Sequence, residues 1–490
     1  MKPIIKRSIF LLSFLLSAML CQGSALAQTT NYPQLHWKLT NPGIPTNSSY
    51  GEVDFVNDVD GDRVSDVVYA TGVSGSTVYL YSGKQKETNG QPHLIWKKQT
   101  MAGDTTTAIT AIVAHQDISN DGKQEILDAY TVNGDAGIEM LDGATGAILK
   151  TYSVGLSKPI LVLKSVPDVN NDHIKDIVAS IRPNDAVAKI VLLDGNSLMP
   201  IWYYKYNTTI INGYSSEIRD IAIVSDVGGP NNVPDGIPDI VIATSVASDD
   251  GKNFLVLSGA LGPPGESEST VQLLSSRNPI SGLVDSIKQV NGSGQDILLM
   301  DTSATTVKLS RIKGGDLNND EWQLTNGLAN NSQLMKTIPD VNGDTYQDIL
   351  LAYSASMKMV SGVNGTTLWE KMNFPMPLPL YPGYSSGPVY DYSADIVYDL
   401  NGDQVDDVVA LKDTSPTTVY LLKGQDGSDV WNYSLDNSST KGSRVFAKAD
   451  LDGDQIPDIV VAANNGDLYV IASKQGSGSG GGKYKIEQPE

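Results

Sequence analysis

Cysteine is almost missing: Cys21 is the only one in 490 residues, so no intramolecular disulfide can staple this chain. Histidine is nearly as scarce. The four residues, His36, His93, His115 and His173, are scattered. No GxSxG, HExxH or phosphate-cradling glycine motif accompanies them, so a conventional hydrolase or transferase is not indicated. After residue 20 no stretch approaches 18 consecutive apolar residues, which leaves no candidate transmembrane helix. Cations are outnumbered, 35 Lys and Arg against 56 Asp and Glu, for a net charge of −21. That balance argues against nucleic acid and anionic membrane surfaces as partners. No segment shows a convincing helical period.

The start of the chain reads as a targeting segment. Lys2, Lys6 and Arg7 form a positive end, Ile9 to Leu20 a short apolar stretch, and Ala25-Leu26-Ala27 a cleavage signature. Leu20 is bulky where lipoprotein processing at Cys21 wants a small residue, so cleavage after Ala27 is expected. The expected organisation is a signal peptide over 1–27, one folded unit over 28–473, and a Gly/Ser-rich flexible tail over 474–490. The expected location is periplasmic, cell-surface or extracellular.

What the chain does have is acid at a fixed spacing. In DVDGDRVSD (58–66), Asp58, Asp60, Asp62 and Asp66 occupy positions 1, 3, 5 and 9, and Val64 offers a backbone carbonyl at position 7. Crowded carboxylates repel one another unless a cation sits among them, and an all-oxygen set of this kind suits a hard cation such as calcium. Five further stretches repeat the spacing. They contribute Asp117, Ser119, Asp121, Lys123 and Glu125; Asp168, Asn170, Asp172, Ile174 and Asp176; Asp340, Asn342, Asp344, Tyr346 and Asp348; Asp399, Asn401, Asp403, Val405 and Asp407; and Asp450, Asp452, Asp454, Ile456 and Asp458. In each, position 7 would ligate through its carbonyl.

Two copies depart from the pattern. DVGGPNNVPDGIPD (226–239) keeps Asp226, Asp235 and Asp239 with five extra residues. QVNGSGQD (289–296) is one residue short and puts Gln289 and Ser293 where carboxylates belong. Six calcium ions are therefore expected, with a seventh if Asn231 or Asn232 supplies the missing ligand, and none at 289.

The loops begin at 58, 117, 168, 226, 289, 340, 399 and 450, a period of 51 to 63 residues. Within each period a strand precedes the loop, an apolar strand follows it, a third reads like TVYLYSG or TVYLLKG, and a fourth often carries tryptophan, as in LIWKK and TLWEK. Four antiparallel strands per repeat, eight times over, predict an all-β, eight-bladed β-propeller with the acidic loops between the first two strands. The last repeat stops without its fourth strand, while LHWKLT (35–40) stands alone upstream of the first. The N-terminal strand is thus expected to close the last blade and cover its edge. All six tryptophans fall on the fourth-strand position and are expected to pack between blades.

Aspartate loops of the form DxDGDxxxD at this period resemble the FG-GAP/VCBS-type repeats of integrin-alpha-like propellers, over residues 34 to about 473. The resemblance implies calcium held in loops on one face and partners on the opposite face. The Phe-Gly and Gly-Ala-Pro strand signatures are lacking, so integrin-like ligand recognition is not implied.

EF-hands and dockerins need flanking helices and a glutamate at position 12. Here the acid is at position 9 and a strand follows at once. Near-identical acidic loops also suit a structural role better than proton transfer. For binding, two aromatic connectors between blades stand out. One holds Tyr203, Tyr204, Tyr206 and Tyr214, the other Phe374, Tyr381, Tyr384, Tyr390 and Tyr392. Their alternatives are a platform for glycan or extended peptide, or packing over the end of the channel. The reading is an exported interaction module for a protein or glycan. The enzymatic alternative, by fold analogy, is a polysaccharide-active, lyase-like protein on the same scaffold.

Overall fold

The computed structural model describes residues 33–40, 51–71, 76–100, 108–132, 135–154, 160–184, 187–207, 218–227, 235–244, 254–259, 273–277, 282–290, 292, 294–301, 307–314, 316, 318–325, 328, 332–353, 355–377, 393–436 and 442–473. Residues 1–27 and 474–490, expected as signal peptide and tail, lie outside these, as do Asn231, Asn232 and Ser293.

Every described element is a strand, and the strands form eight four-stranded antiparallel sheets. In seven of them the strands pair in chain order; blade 1, for example, runs Gly51–Val56, Asp66–Thr71, Thr77–Lys86 and Pro92–Gln99. At six of the eight joints the first strands of consecutive blades lie against one another, so these strands line the axis of the ring. The acidic loops join first to second strands and therefore share one face. The outer strands end, and the next inner strands begin, at the other face.

Blade 8 is the exception that closes the ring. Gly442–Ala449, Asp458–Ala463 and Leu468–Ala472 are followed in the sheet by Gln34–Leu39, with Trp37 opposite Val470 and Leu39 opposite Leu468. The orphan strand thus covers an edge that would otherwise expose unpaired backbone groups.

The apolar core is divided into eight clusters, each at a joint between consecutive blades. One joins Trp37, Val460 and Val470 of blade 8 to Phe55, Val67 and Tyr69 of blade 1; others join Trp202 to Ile240 and Leu257, and Trp369 to Val408 and Leu422. A blade therefore has no core of its own. Its stability comes from both neighbours, as in other repeat architectures.

Tryptophan fastens these joints. The indole N–H of Trp37, Trp96, Trp202, Trp322 and Trp369 donates to the carbonyl of Gly83, Gly143, Gly259, Gly362 and Gly424, each in the next blade, over 2.6 to 3.4 Å. Trp431 packs, half-buried, in the joint between blades 7 and 8. Glycine is required at the accepting position. A Cβ there would sit 2.2 Å from the carbonyl oxygen of Ser65 at Gly83, and 1.9 Å from that of Gln124 at Gly143, closer than atoms can pack.

Candidate metal centres

Each acidic loop begins where an inner strand ends, and its shape is set by two left-handed residues. Positions 4 and 6 have positive φ in all six intact loops: Gly61 and Arg63, Asn120 and Gly122, Asn171 and His173, Gly343 and Thr345, Gly402 and Gln404, Gly453 and Gln455. Glycine and asparagine at position 4 are the residues that tolerate this region best. His173 is exposed there, as position 6 requires.

This curl turns backbone N–H groups inward onto the position 1 carboxylate. Asp58 accepts from Gly61, Asp62 and Arg63 over 2.6 to 3.1 Å. Asp168 accepts from Asn171, Asp172 and His173 over 2.6 to 3.3 Å, and Asp340 accepts in the same way from Gly343, Asp344 and Thr345. The position 5 acid takes the position 7 amide: Val64 to Asp62, Lys123 to Asp121, Ile174 to Asp172, Tyr346 to Asp344, Val405 to Asp403 and Ile456 to Asp454. Ile237 donates likewise to Asp235 in the long loop of blade 4.

The position 9 acid is the buried anchor. Asp66, Glu125, Asp176, Asp239, Asp348, Asp407 and Asp458 are all inaccessible to solvent. In most of these loops one oxygen accepts the position 2 amide and the other the amide after the third strand; Asp66, for instance, takes Val59 at 2.7 Å and Gly83 at 3.1 Å. Burial, and after it the nearby Asp60 and Asp62, push the Asp66 carboxyl up to about 7. Burial likewise raises Asp176 and Asp348 to about 6 and Asp407 to about 7. Such groups resist ionising together unless positive charge joins them.

Two observations bear on whether a cation could sit in these loops. Single carboxylate oxygens of Asp58, Asp60 and Asp62 lie within 4.8 Å of one another, and so do those of Asp450, Asp452 and Asp458. Oδ2 of Asp60 and Oδ1 of Asp226 are buried with no hydrogen-bond partner, a costly state for a carboxylate oxygen that coordination would relieve. In blades 6 and 7 the position 3 amides of Asn342 and Asn401 instead donate to Asp348 and Asp407; an amide also carries an oxygen that can serve as a ligand.

Neighbouring loops also touch. The Lys123 ammonium donates to the backbone carbonyl of Asp58 in blade 1. Gln124, Gln295 and Gln347, each just before the last acid of its loop, accept from the amides of Asn57, Ser225 and Lys288 in the preceding blade, at 2.7 to 2.9 Å.

Sequence reasoning missed a second set of acids, inside the ring. Asp54, Asp285 and Asp395 sit mid-strand on inner strands. Each accepts its own neighbour's amide through one oxygen and, through the other, an amide of the next blade: Ala114, Thr337 and Ala447, at 2.7 to 3.1 Å. Lys336 adds an ion pair to Asp395 at 3.1 Å. An acid in the middle of a strand reads as outward-facing and polar, and nothing local marks it as facing a channel. Where the channel opens among the loops, a cavity of about 670 Å³ is lined by Asp54, Ser65, His115, Lys175, Asp406 and Lys448, among others.

The aromatic connectors need correction. Tyr203, Tyr204 and Tyr206 belong to the outer strand Pro200–Asn207 of blade 3, not to a connector. Tyr203 and Tyr204 are half-buried in the joints on either side of that strand. Phe374 is 1% exposed and stands edge-on to Tyr420 at 5.2 Å, so it is a core residue and cannot line a platform. Tyr214, Tyr381, Tyr384, Tyr390 and Tyr392 lie outside the described residues. No described helix is long and apolar enough to cross a membrane.

Residues 399–461, from the loop of blade 7 to the second strand of blade 8, match the family model of the FG-GAP-like repeat. Among solved structures, the Dos1 propeller aligns over 91% of this chain and 97% of its own, with a TM-score of 0.51 at 8% identity. BamB from Moraxella catarrhalis aligns over 90% and 99%, with a TM-score of 0.47 at 12% identity. BBS1N, solved in complex with ARL6DN, aligns over 77% and 96%, with a TM-score of 0.46 at 10% identity. At such identities the likeness is one of fold alone. No curated protein matches the chain.

Proposed function

Taking the chain as a propeller of the FG-GAP, integrin-alpha-like kind, we propose that it is an exported, calcium-stabilised interaction module for a protein or glycan. The observation that carries this reading is the sameness of the loops. The left-handed positions and the bonds to positions 1, 5 and 9 recur round the ring, as a structural cation site requires and a single reaction centre does not. Bound calcium would be held by the position 1, 3 and 5 side chains, the position 7 carbonyl and the position 9 acid. Its charge would offset carboxylates that otherwise repel one another at the joints between blades. The chain's own share is to curl each loop, bury its anchor acid and exclude water from it.

With the loop face committed to stability, the opposite face is the one left to vary and bind. Export rests on the sequence of residues 1–27. The test is capture of protein and glycan partners by the purified chain, with and without chelator. The reading expects one partner class to be retained in calcium and lost, or weakened, on chelation. A polysaccharide that is instead cleaved would favour the lyase-like alternative.

A further inference from the structure

Blade 5 departs from its neighbours in two places that the fold brings together. Its loop lacks the position 1 carboxylate but keeps Asp296 at the last position, 3% exposed. Its third strand, Lys308–Ile312, carries Arg311 opposite Leu298 on one side and Trp322 on the other. In five other blades the residue facing the outer-strand tryptophan is apolar and fully buried: Leu80, Leu192, Met359, Leu421 or Val470. Arg311 is as buried as they are, at 1%.

Each of its three guanidinium nitrogens has a partner. Nε and Nη2 both lie 2.7 Å from Oδ2 of Asp296. Nη2 also donates to the carbonyl of Lys288, the residue just before the loop, at 2.9 Å. Nη1 donates at 2.6 Å to the carbonyl of Gly362 in blade 6, the same oxygen that takes the Trp322 indole N–H at 2.9 Å.

Comparison with the acidic loops shows what has been exchanged. There, one oxygen of the anchor acid takes the amide after the third strand and the other takes the position 2 amide, as in Asp66, Asp176 and Asp348. Asp296 keeps the first arrangement, accepting from Gly314 at 2.8 Å, but gives the other oxygen to the guanidinium. Gln289, at the start of the loop, turns its amide toward the carbonyls of Gln295 and Gly314, at 3.5 and 3.4 Å.

We propose that Arg311 is a built-in cation that does for blade 5 what bound metal does for the acidic loops, so that this blade and its joint to blade 6 are locked independently of calcium. The inference rests on the calcium reading above. A guanidinium is a permanent charge with a rigid fork of donors. A buried ion pair holds only with further hydrogen bonds around it, and the carbonyls of Lys288 and Gly362 supply two here. Loss of the loop carboxylates and gain of the buried arginine are then one compensated change.

The test is hydrogen exchange of the intact protein during graded removal of calcium. Segments following the acidic loops, such as 66–71, 348–353 and 458–463, should lose protection first, by about tenfold or more, while 295–301 and 308–312 lose it last. Blade 5 failing together with the others would overturn the proposal. If no blade responds to chelation, the calcium reading fails and takes this inference with it. Arg311→Met, shaped like Met359, should lower protection of 295–301 and 308–312 even in saturating calcium. Wild-type protection there would show that Arg311 is not the lock. Should that variant fail to fold, the order of loss in the unaltered chain still decides.

Discussion

The indole N–H of Trp37 donates to the carbonyl of Gly83 over 2.6 Å, and this bond fastens the N-terminal strand of blade 8 to blade 1. Around it the seam is reinforced by the buried ion pair of Arg444 with Glu52 and by the Tyr69 hydroxyl, which donates to the Gly466 carbonyl at 3.1 Å. The last two contacts close the ring between residues 392 and 397 positions apart.

Trp37 is 2% exposed. Trp37→Ala should therefore cost about 3 to 5 kcal/mol, the range for emptying a buried aromatic site, measured by denaturant unfolding. Trp37→Phe, which keeps most of the ring but loses the donor, should cost about 1 to 3 kcal/mol for the stranded Gly83 carbonyl. Deleting residues 28–41 should be worse than either, since it bares the edge of Leu468–Ala472.

Much of this was legible in the sequence because it repeats. The period, the loops, the missing fourth strand and the tryptophan positions are each visible by comparing one blade with the next. Features that occur once, or that depend on which way a side chain faces, were not. The strand KLSRI around Arg311 alternates like any half-exposed strand, and its partner Asp296 is identified only by the fold. The run of Tyr203, Tyr204 and Tyr206 reads as part of an aromatic connector, yet Tyr203 and Tyr204 pack in joints between blades that sequence spacing does not show.

The inner-strand clips should matter individually. Asp285→Ala strands the amides of Ser286 and Thr337, which donate to it at 2.8 and 3.0 Å. A loss of about 1 to 3 kcal/mol is expected, read as an earlier urea midpoint with an unchanged slope.

Asp128 provides a pH signature away from the loops. It is fully buried between blades 1 and 2, 4.0 Å from the Lys98 ammonium, and accepts from the Thr100 hydroxyl at 3.0 Å. Burial outweighs those two and raises its carboxyl from 3.8 to about 6. The folded chain therefore holds a proton that the unfolded chain releases, so this group lowers stability as pH rises from about 4 to about 6, with the penalty complete above that. Asp128→Asn should remove that slope and gain about 3 kcal/mol at pH 7. Melts at pH 4 and pH 7 check it; equal effects at both would contradict the assignment.

Chelation should lower the melting temperature, because each emptied loop leaves three or four acidic groups facing one another. Magnesium should restore it poorly, since it demands tighter octahedral geometry. A melt unchanged by excess chelator would show that the loops stand without metal.

The most direct test is the calcium content of the dialysed protein, by elemental analysis against protein concentration. Six loops keep the full spacing of candidate ligands, the loop from Asp226 is altered, and in the loop from Gln289 the last acid pairs with Arg311 instead. Six calcium ions per chain are expected, or seven if Asn231 or Asn232 completes the site of blade 4. Three or fewer would contradict the account of a propeller held together by its acidic loops.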